Sequence, residues 1–314
     1  MIWLTRRCFP EMDTMVLVRQ MAVIALLVLL GMYLGKRDRI DAHTAQKLSA
    51  LVMDIVNPAM ILSTVLSGGI TGSRTEILAA LCAGAGFYGA LCVLGVLFPV
   101  IFRVKRTERA DYNMMIVYTN VGFIGIPVGR ALLGSGGMLY VIICNVVYSL
   151  LFYTHGVSVL GNAGRIRLRS IFSPGTCMVL LSLVLIWFPA TLPEVLTETL
   201  SYIGNATVFL SMSLLGVSLA RVKTLRGIAS PWIWLYLAVR MAAVPILLVS
   251  VLRRAGAPEI MVQAFCLMAA MPAANLPLIQ AEKTGRNTEV LSQGIVISTV
   301  FSFAAIPFLM ARLF

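Results

Sequence analysis

The chain has 314 residues, of which 59% are hydrophobic and only 12% are charged, and its formal net charge is +12. Soluble globular domains carry about 25% charged residues, so this chain has too few charges to cover a soluble body of its size. The composition excludes a cytosolic enzyme, a disordered region and a secreted disulfide scaffold. It predicts an all-α polytopic membrane protein.

Apolar runs that approach the length needed to cross a bilayer, about 20 residues, occur ten times along the chain. In chain order, the predicted spans are 15–35, 46–66, 77–102, 111–133, 137–159, 175–190, 200–220, 231–252, 259–281 and 290–312. Because the connections between them are short, no soluble domain is predicted. The segment before the first span lacks the apolar core of a signal peptide, and Met1, Met12 and Met15 all fit as the first residue.

The basic residues lie mostly in short blocks between the spans. The connections after spans 1, 3, 5, 7 and 9, with the span ends beside them, hold 16 of the 25 Lys and Arg residues, whereas the opposite side holds 6. The positive-inside rule therefore predicts a plasma (inner) membrane protein with these connections in the cytoplasm and both termini outside. The pattern is unlike the basic face of a nucleic-acid-binding domain, so we expect membrane lipid and no nucleic acid as a partner.

Similar segments recur about 150 residues apart. Asn57 in span 2 matches Asn205 in span 7 at an offset of 148, and Pro127 in span 4 matches Pro277 in span 9 at an offset of 150. Two halves of five spans fit these offsets. Because five is an odd number, the halves would insert with opposite topology, which is the inverted repeat of many secondary transporters.

Spans 4 and 9 carry the strongest signals for a binding site, because glycine, proline and asparagine interrupt span 4, and proline and asparagine interrupt span 9. Proline removes an N–H donor and clashes with the preceding turn, and glycine lowers helix propensity, so both helices are predicted to break near the middle of the membrane. At that depth, broken backbone lines a cavity or is buried in protein, where half-helix ends can bind a solute or ion. A plain proline kink is the alternative for either span alone. The predicted substrate-binding residues here are Asn120, Gly122, Gly125, Pro127, Pro272, Asn275 and Pro277.

Ionisable residues inside spans are costly and are therefore functional candidates. Arg240 in span 8 is predicted either to bind an anionic substrate or to replace a coupling cation by holding the broken-helix ends, with an ion pair between helices as the structural alternative. Asp54 in span 2 and Arg130 in span 4 are candidates for coupling or gating, although Arg130 could also reach the lipid headgroups. Because Asp54 is the one mid-span carboxylate, no enzyme and no catalytic residue are predicted. The scattered cysteines and the two histidines lack the spacing of metal ligands, so no metal site is predicted, and no cofactor is predicted either.

An ordered set of motifs resembles the auxin efflux carrier family, whose bacterial members include malonate and malate permeases. The motifs are NPAM in span 2, TNVGFIGIPV in span 4, IGNATVFLSMSLLGVSL in span 7, MPAANLPLIQAEKTG in span 9 and LSQGIVISTVFSFAAIPF in span 10. The resemblance covers residues 16 to 312, approximately. It implies ten transmembrane helices in an inverted 5+5 repeat with crossed broken helices 4 and 9, similar to sodium–proton antiporters and bile-acid transporters. The long cytoplasmic loop of plant auxin exporters is missing here, which argues against auxin as the substrate.

The resemblance also implies that the helices form two domains. A scaffold domain is expected to support homodimers, and a transport domain is expected to move against it like an elevator. Asn57, Pro58 and Asn205 are expected on the scaffold face of the substrate path, with a structural role as their first interpretation. The expected segments are a first repeat at 1–159, a cytoplasmic loop at 160–174, a second repeat at 175–314, scaffold helices at 15–66 and 175–220, and transport helices at 77–159 and 231–312.

The predicted function is secondary active transport of a small organic anion, a carboxylate or dicarboxylate, with a proton or sodium ion as the coupling ion. Two alternatives stay open at this point. One is a ten-helix exporter of another metabolite class, amphipathic or neutral, and the other is a uniporter without ion coupling.

Overall fold

The computed structural model describes residues 14–66, 72–161, 174–188, 192–221 and 230–314. Within these ranges the regular structure is helical, with one isolated antiparallel backbone bridge. The helices are α1 Thr14–Lys36, α2 Ala42–Leu66, α3 Arg74–Ile101, α4 Arg109–Val117, α5 Val121–Leu160, α6 Pro174–Trp187, α7 Glu194–Ala220, α8 Pro231–Arg254, α9 Glu259–Ala270, α10 Asn275–Lys283 and α11 Glu289–Leu313. Most of the predicted loop at 160–174 and the alternative starts Met1 and Met12 lie outside the described residues.

Seven of the described helices are long and apolar enough to cross a membrane, namely α1, α2, α3, α5, α7, α8 and α11. This finding confirms the prediction of an all-α integral membrane protein. The helices α4 and α10 have nine residues each, which is about 14 Å of helix and less than half of a hydrocarbon core of roughly 30 Å. The count of ten spans and the inverted repeat stay predictions.

Local sequence accounts for where several helices begin and bend. Ser73 and Glu76 form a capping box at the start of α3, in which each side chain accepts a hydrogen bond from the other residue's backbone N–H. Asp41 caps α2, and hydrogen bonds from Thr44 hold the pKa of this exposed carboxyl below its ordinary value. Inside the long helix α5, Gly134 has a φ of +58° and interrupts the helical geometry, at the predicted boundary between spans 4 and 5.

Three helices contain a π turn that ends two residues before a proline. The turns are Val52–Val56 before Pro58, Val121–Gly125 before Pro127 and Val239–Ala243 before Pro245. Proline has no N–H to give to the carbonyl four residues earlier, and its ring crowds that carbonyl, so a widened turn relieves the crowding. Such turns are frequent at functional sites, and these three hold the predicted residues Asp54, Gly122, Gly125 and Arg240.

Helix packing divides into two groups. In the first group, α7 packs on α1 and α2, and α2 packs on α6. The second group holds α3, α4, α5, α8, α9 and α11, in which α9 packs on α5, α8 and α11, and α3 packs on α4 and α5. In the first group, α1 and α7 touch through glycines, because a Cβ built on Gly31 would lie 2.1 Å from the carbonyl oxygen of Ser213. The division into scaffold and transport helices, and their separate movement, stay predictions.

Candidate functional site

Two interrupted helices cross inside the second group. Between α4 and α5, and between α9 and α10, the chain is extended over a few residues. Asn120 N donates to the carbonyl oxygen of Pro272 at 2.8 Å, and Ala274 N donates to the carbonyl oxygen of Tyr118 at 3.0 Å. These antiparallel bonds pair backbone groups that the breaks release, which a buried break requires. The helices therefore break in the segments that the proline and asparagine pattern predicts.

Side chains fix the crossing to its neighbours. Thr119 Oγ1 donates to the carbonyl oxygen of Met268 in α9 at 3.3 Å. Ser298 in α11 accepts a hydrogen bond from Ala273 N at 3.1 Å and donates to the carbonyl oxygen of Ile295 at 3.1 Å. The bridging segments are thus held by α9 on one side and by α11 on the other.

Replacing Ser298 with alanine should weaken the crossing, because it leaves the buried N–H of Ala273 without an acceptor. A buried donor without a partner costs about 1–3 kcal/mol. A matched control is Ser302→Ala in the same helix, since the Ser302 hydroxyl donates to the carbonyl oxygen of Thr299 only one turn away. Thermal unfolding in detergent should show a lower melting temperature for Ser298→Ala than for Ser302→Ala, and equal melting temperatures would contradict this role of Ser298.

Amide side chains surround the start of α5. A Cβ built on Gly122 would lie 3.8 Å from Asn57 Nδ2 and 3.9 Å from Asn145 Nδ2, so three different segments meet there. Asn120 caps the turn, since its Oδ1 accepts from Phe123 N at 3.1 Å. Within the part of the chain that the structure describes, Asn57 Oδ1 and Asn120 Nδ2 are buried without a hydrogen-bond partner. Buried polar groups are usually paired, and these two amide atoms have hydrogen-bonding capacity left over for a polar ligand.

Arg240 lies at the ends of both interrupted helices. Its guanidinium is completely buried, and Nε donates to the carbonyl oxygen of Ile116 in α4 at 2.8 Å while Nη1 donates to the carbonyl oxygen of Ala269 in α9. The guanidinium carbon also lies 5.9 Å from the ring centre of Phe87. Of the two predicted roles for Arg240, this geometry matches the holding of broken-helix ends, and the residue does not line the cavity described next.

A cavity of about 650 Å³ lies between the two helix groups. Its walls come from α2 and α7 on one side and from α10 and α11 on the other, and it extends from the helix ends at His43, Arg221 and Thr288 to Phe123 and Asn275 at the crossing. Arg221 is held by a hydrogen bond from Nη2 to the carbonyl oxygen of Ile40 at 2.9 Å. Other polar lining residues are Gln46, Ser49, Ser211, Ser218, Glu289, Ser292 and Gln293. The cavity thus connects one end of the molecule to the interrupted helices, and polar side chains occur along its length among apolar ones.

The predicted site residues fall into distinct places. Gly125, Pro127, Pro272 and Pro277 are buried around the crossing, and a Cβ built on Gly125 would lie 2.9 Å from Met268 Sδ. Pro277 occupies the first turn of α10, where a missing N–H is tolerated. Asn275 is half-buried at the cavity end, and its Oδ1 has no hydrogen-bond partner within the described ranges.

The remaining predicted residues lie away from the crossing or at its edge. Arg130 is exposed on α5, and Asp54 is half-buried in the π turn of α2. Asn205 is exposed on α7, whereas its neighbour Thr207 is buried and donates to the carbonyl oxygen of Val56 in α2 at 3.2 Å. Thr207, two residues after the predicted Asn205, therefore joins α7 to α2.

Sequence reasoning missed Asn145 and the cavity lining. Asn145 is the one asparagine in the apolar run GMLYVIICNVVYSL, and a buried polar residue inside a span is itself a signal. Gln293 in α11 gave the same signal and is buried, with its Nε2 donating to Glu289 Oε1 at 3.2 Å. Ser211 and Arg221 gave no pattern that separates them from other span and loop residues.

Apolar helices, two interrupted helices that cross, and a cavity that reaches the crossing are features of integral membrane proteins that carry solutes. The chain matches the membrane transport protein family over residues 16–165 and 163–310. It therefore belongs to the auxin efflux carrier family, as the sequence motifs predicted.

Two archaeal relatives are similar over nearly the whole chain. An uncharacterized transporter of Methanothermobacter thermautotrophicus is 23% identical over 291 residues, which cover 90% of this chain and 94% of the relative. An uncharacterized transporter of Methanocaldococcus jannaschii is 24% identical over 298 residues, with the same coverage of both chains.

Proposed function

We propose that the protein is a secondary transporter of a small organic anion, a carboxylate or dicarboxylate, that works by alternating access. The observation that carries this proposal is the cavity between the two helix groups, which ends at the half-buried Asn275 beside the crossing. A solute bound there would touch helices of both groups. Movement of one group against the other, as in an elevator, would then carry the solute across.

Two positive features of the cavity support an anion as the solute, although the carboxylate of Glu289 also lines it. Arg221 stands at its outer end, and α10 begins with Asn275 at its inner end. The start of a helix presents free N–H groups and the positive end of the helix dipole, both of which favour an anion. The carboxylate of Glu289 accepts a hydrogen bond from Gln293. Arg240 donates to carbonyl groups of α4 and α9 and does not line the cavity. The anion proposal therefore depends on Arg221 and the start of α10.

The cavity is proposed to open to the cytoplasm. His43 and Arg221 lie beside the basic connections after spans 1 and 7, which the positive-inside rule assigns to that side, and both termini are then outside. A pH gradient is the proposed driving force. A homodimer through α1, α2, α6 and α7 is proposed on the family resemblance alone.

The proposal is tested by uptake into liposomes that contain the purified protein. Labelled malonate, malate and indole acetate, and a neutral sugar for comparison, are supplied with and without an imposed pH gradient. We expect one of the acids to accumulate above the level in protein-free liposomes, and the gradient to raise its uptake. Uptake of the sugar alone would overturn the anion proposal, and uptake of none of the four solutes would reject the proposed carboxylate class.

A further inference from the structure

The ends of α4 and α9 place negative poles side by side in the protein interior. Each helix ends within the fold, at Val117 and Ala270, and the crossing bonds join the segments that follow them. The last carbonyl groups of a helix lack partners within it, and the helix dipole gives this end about half a negative elementary charge. Two such ends together amount to about one negative charge, and a cation beside them is stabilised.

Arg240 brings one positive charge to this place. Its guanidinium donates to a carbonyl oxygen in the last turn of each helix, Ile116 in α4 and Ala269 in α9, so one side chain joins both poles. No part of the residue is exposed. The π turn Val239–Ala243 widens α8 where Arg240 leaves it. One fixed positive charge thus matches two half charges.

We propose that Arg240 is a built-in cation that takes the place of a bound inorganic cation at the helix crossing. The crossing would keep its charge balance in every state of the transport cycle, and no sodium ion would need to bind there. The statement about sodium rests on the proposed transport function. The charge-balancing role itself does not rest on it, because it concerns the stability of the fold.

The test compares the melting temperatures of variants in detergent, which requires no substrate. Arg240→Lys keeps the charge, Arg240→Gln keeps a hydrogen-bond donor without the charge, and Arg240→Ala removes both. Arg253→Ala is the matched control on the same helix, since Arg253 is paired with Glu259 on the exposed side. We expect Arg240→Gln to melt about 5–10 °C below the native protein and Arg240→Lys to melt between the two. A glutamine variant as stable as the lysine variant would overturn the proposal.

A chemical rescue tests the same charge directly. Millimolar guanidinium chloride should raise the melting temperature of Arg240→Ala, whereas tetramethylammonium chloride at equal ionic strength should not. Neither salt should stabilise Arg253→Ala or the native protein. If Arg240→Ala does not fold, the melting temperatures of Arg240→Lys and Arg240→Gln still test the proposal. A folded Arg240→Ala that guanidinium does not stabilise more than tetramethylammonium would overturn the proposal.

The consequence for transport is measured separately. In liposomes, the native protein should take up its acid equally well in sodium, potassium and choline media. A strict requirement for sodium would overturn the claim that Arg240 replaces a bound cation. Failure to find any transported acid would defeat the proposed function and leave the melting experiments intact.

Discussion

Gly216→Ala is expected to destabilise the protein strongly, although it adds a single methyl group. A Cβ at this position in α7 would lie 2.0 Å from the carbonyl oxygen of Val28 and 2.7 Å from the backbone N of Met32 in α1. Both atoms belong to the backbone, so a side-chain rotation cannot make room and the two helices must separate. Overpacking of a tight contact costs about 1–3 kcal/mol, and we expect the upper end of that range.

The matched control is Gly89→Ala in α3, where a Cβ would meet nothing within 4 Å. Alanine is favoured over glycine inside a helix by about 0.5–1 kcal/mol, so this variant should melt at or above the native temperature. The measurement is thermal unfolding of both variants in the same detergent. A Gly216→Ala variant as stable as Gly89→Ala would show that α1 and α7 are not in the close contact described above.

Asn275→Ala is expected to abolish most transport while the fold survives. The side chain stands where the cavity meets the crossing, and its Oδ1 has no hydrogen-bond partner within the described residues, so its removal should cost little stability. A hydrogen bond to a charged group contributes about 1.5–3 kcal/mol. We therefore expect uptake at low substrate concentration to fall about 10- to 100-fold.

Asn205→Ala provides the matched control for this prediction. It removes the same side chain from an exposed position on α7 that lies outside the cavity. Uptake should stay at the native rate, measured on liposomes with equal protein content. Equal uptake by Asn205→Ala and Asn275→Ala would contradict a role of the Asn275 side chain in binding the transported solute.

The breaks at the crossing could be predicted from the sequence because proline acts locally. Pro272 has no N–H and lies in the break itself, Pro277 lies in the first turn of α10, and Pro127 follows the π turn with which α5 begins. Both candidate roles of Arg240 could be proposed from the sequence, but its contacts with α4 and α9 are visible only in three dimensions. Its partners are backbone carbonyls 124 and 29 residues away, and no side-chain pattern marks a carbonyl as a partner.

The cavity could not be predicted for a related reason. Its walls combine residues of α2, α7, α10 and α11, which are far apart in the sequence. Serine in a span does not identify a cavity wall, because a serine hydroxyl often donates to a carbonyl of its own helix, as Ser182 does. The choice of Asn205 on α7 shows the same limit. The match between Asn57 and Asn205 selected a turn of α7 that does contact α2. Only the orientation of α7 in the structure shows that Thr207 faces α2 while Asn205 is exposed.

The most direct test of the account asks whether the transported acid passes through this cavity. Ser292→Cys on α11 lines the cavity, and Val300→Cys on the same helix has 61% of its surface exposed on the outer, apolar side. Both are made in a protein whose six native cysteines are replaced, and they are labelled in oriented vesicles with a charged maleimide that does not cross membranes.

We expect the maleimide to label the cysteine at position 292 from the cytoplasmic face, and the transported acid to slow this labelling. The cysteine at position 300 should stay unlabelled, because lipid excludes a charged reagent. Labelling at position 292 that occurs from neither face, or that proceeds at the same rate with and without the transported acid, would contradict the assignment of this cavity as the transport path.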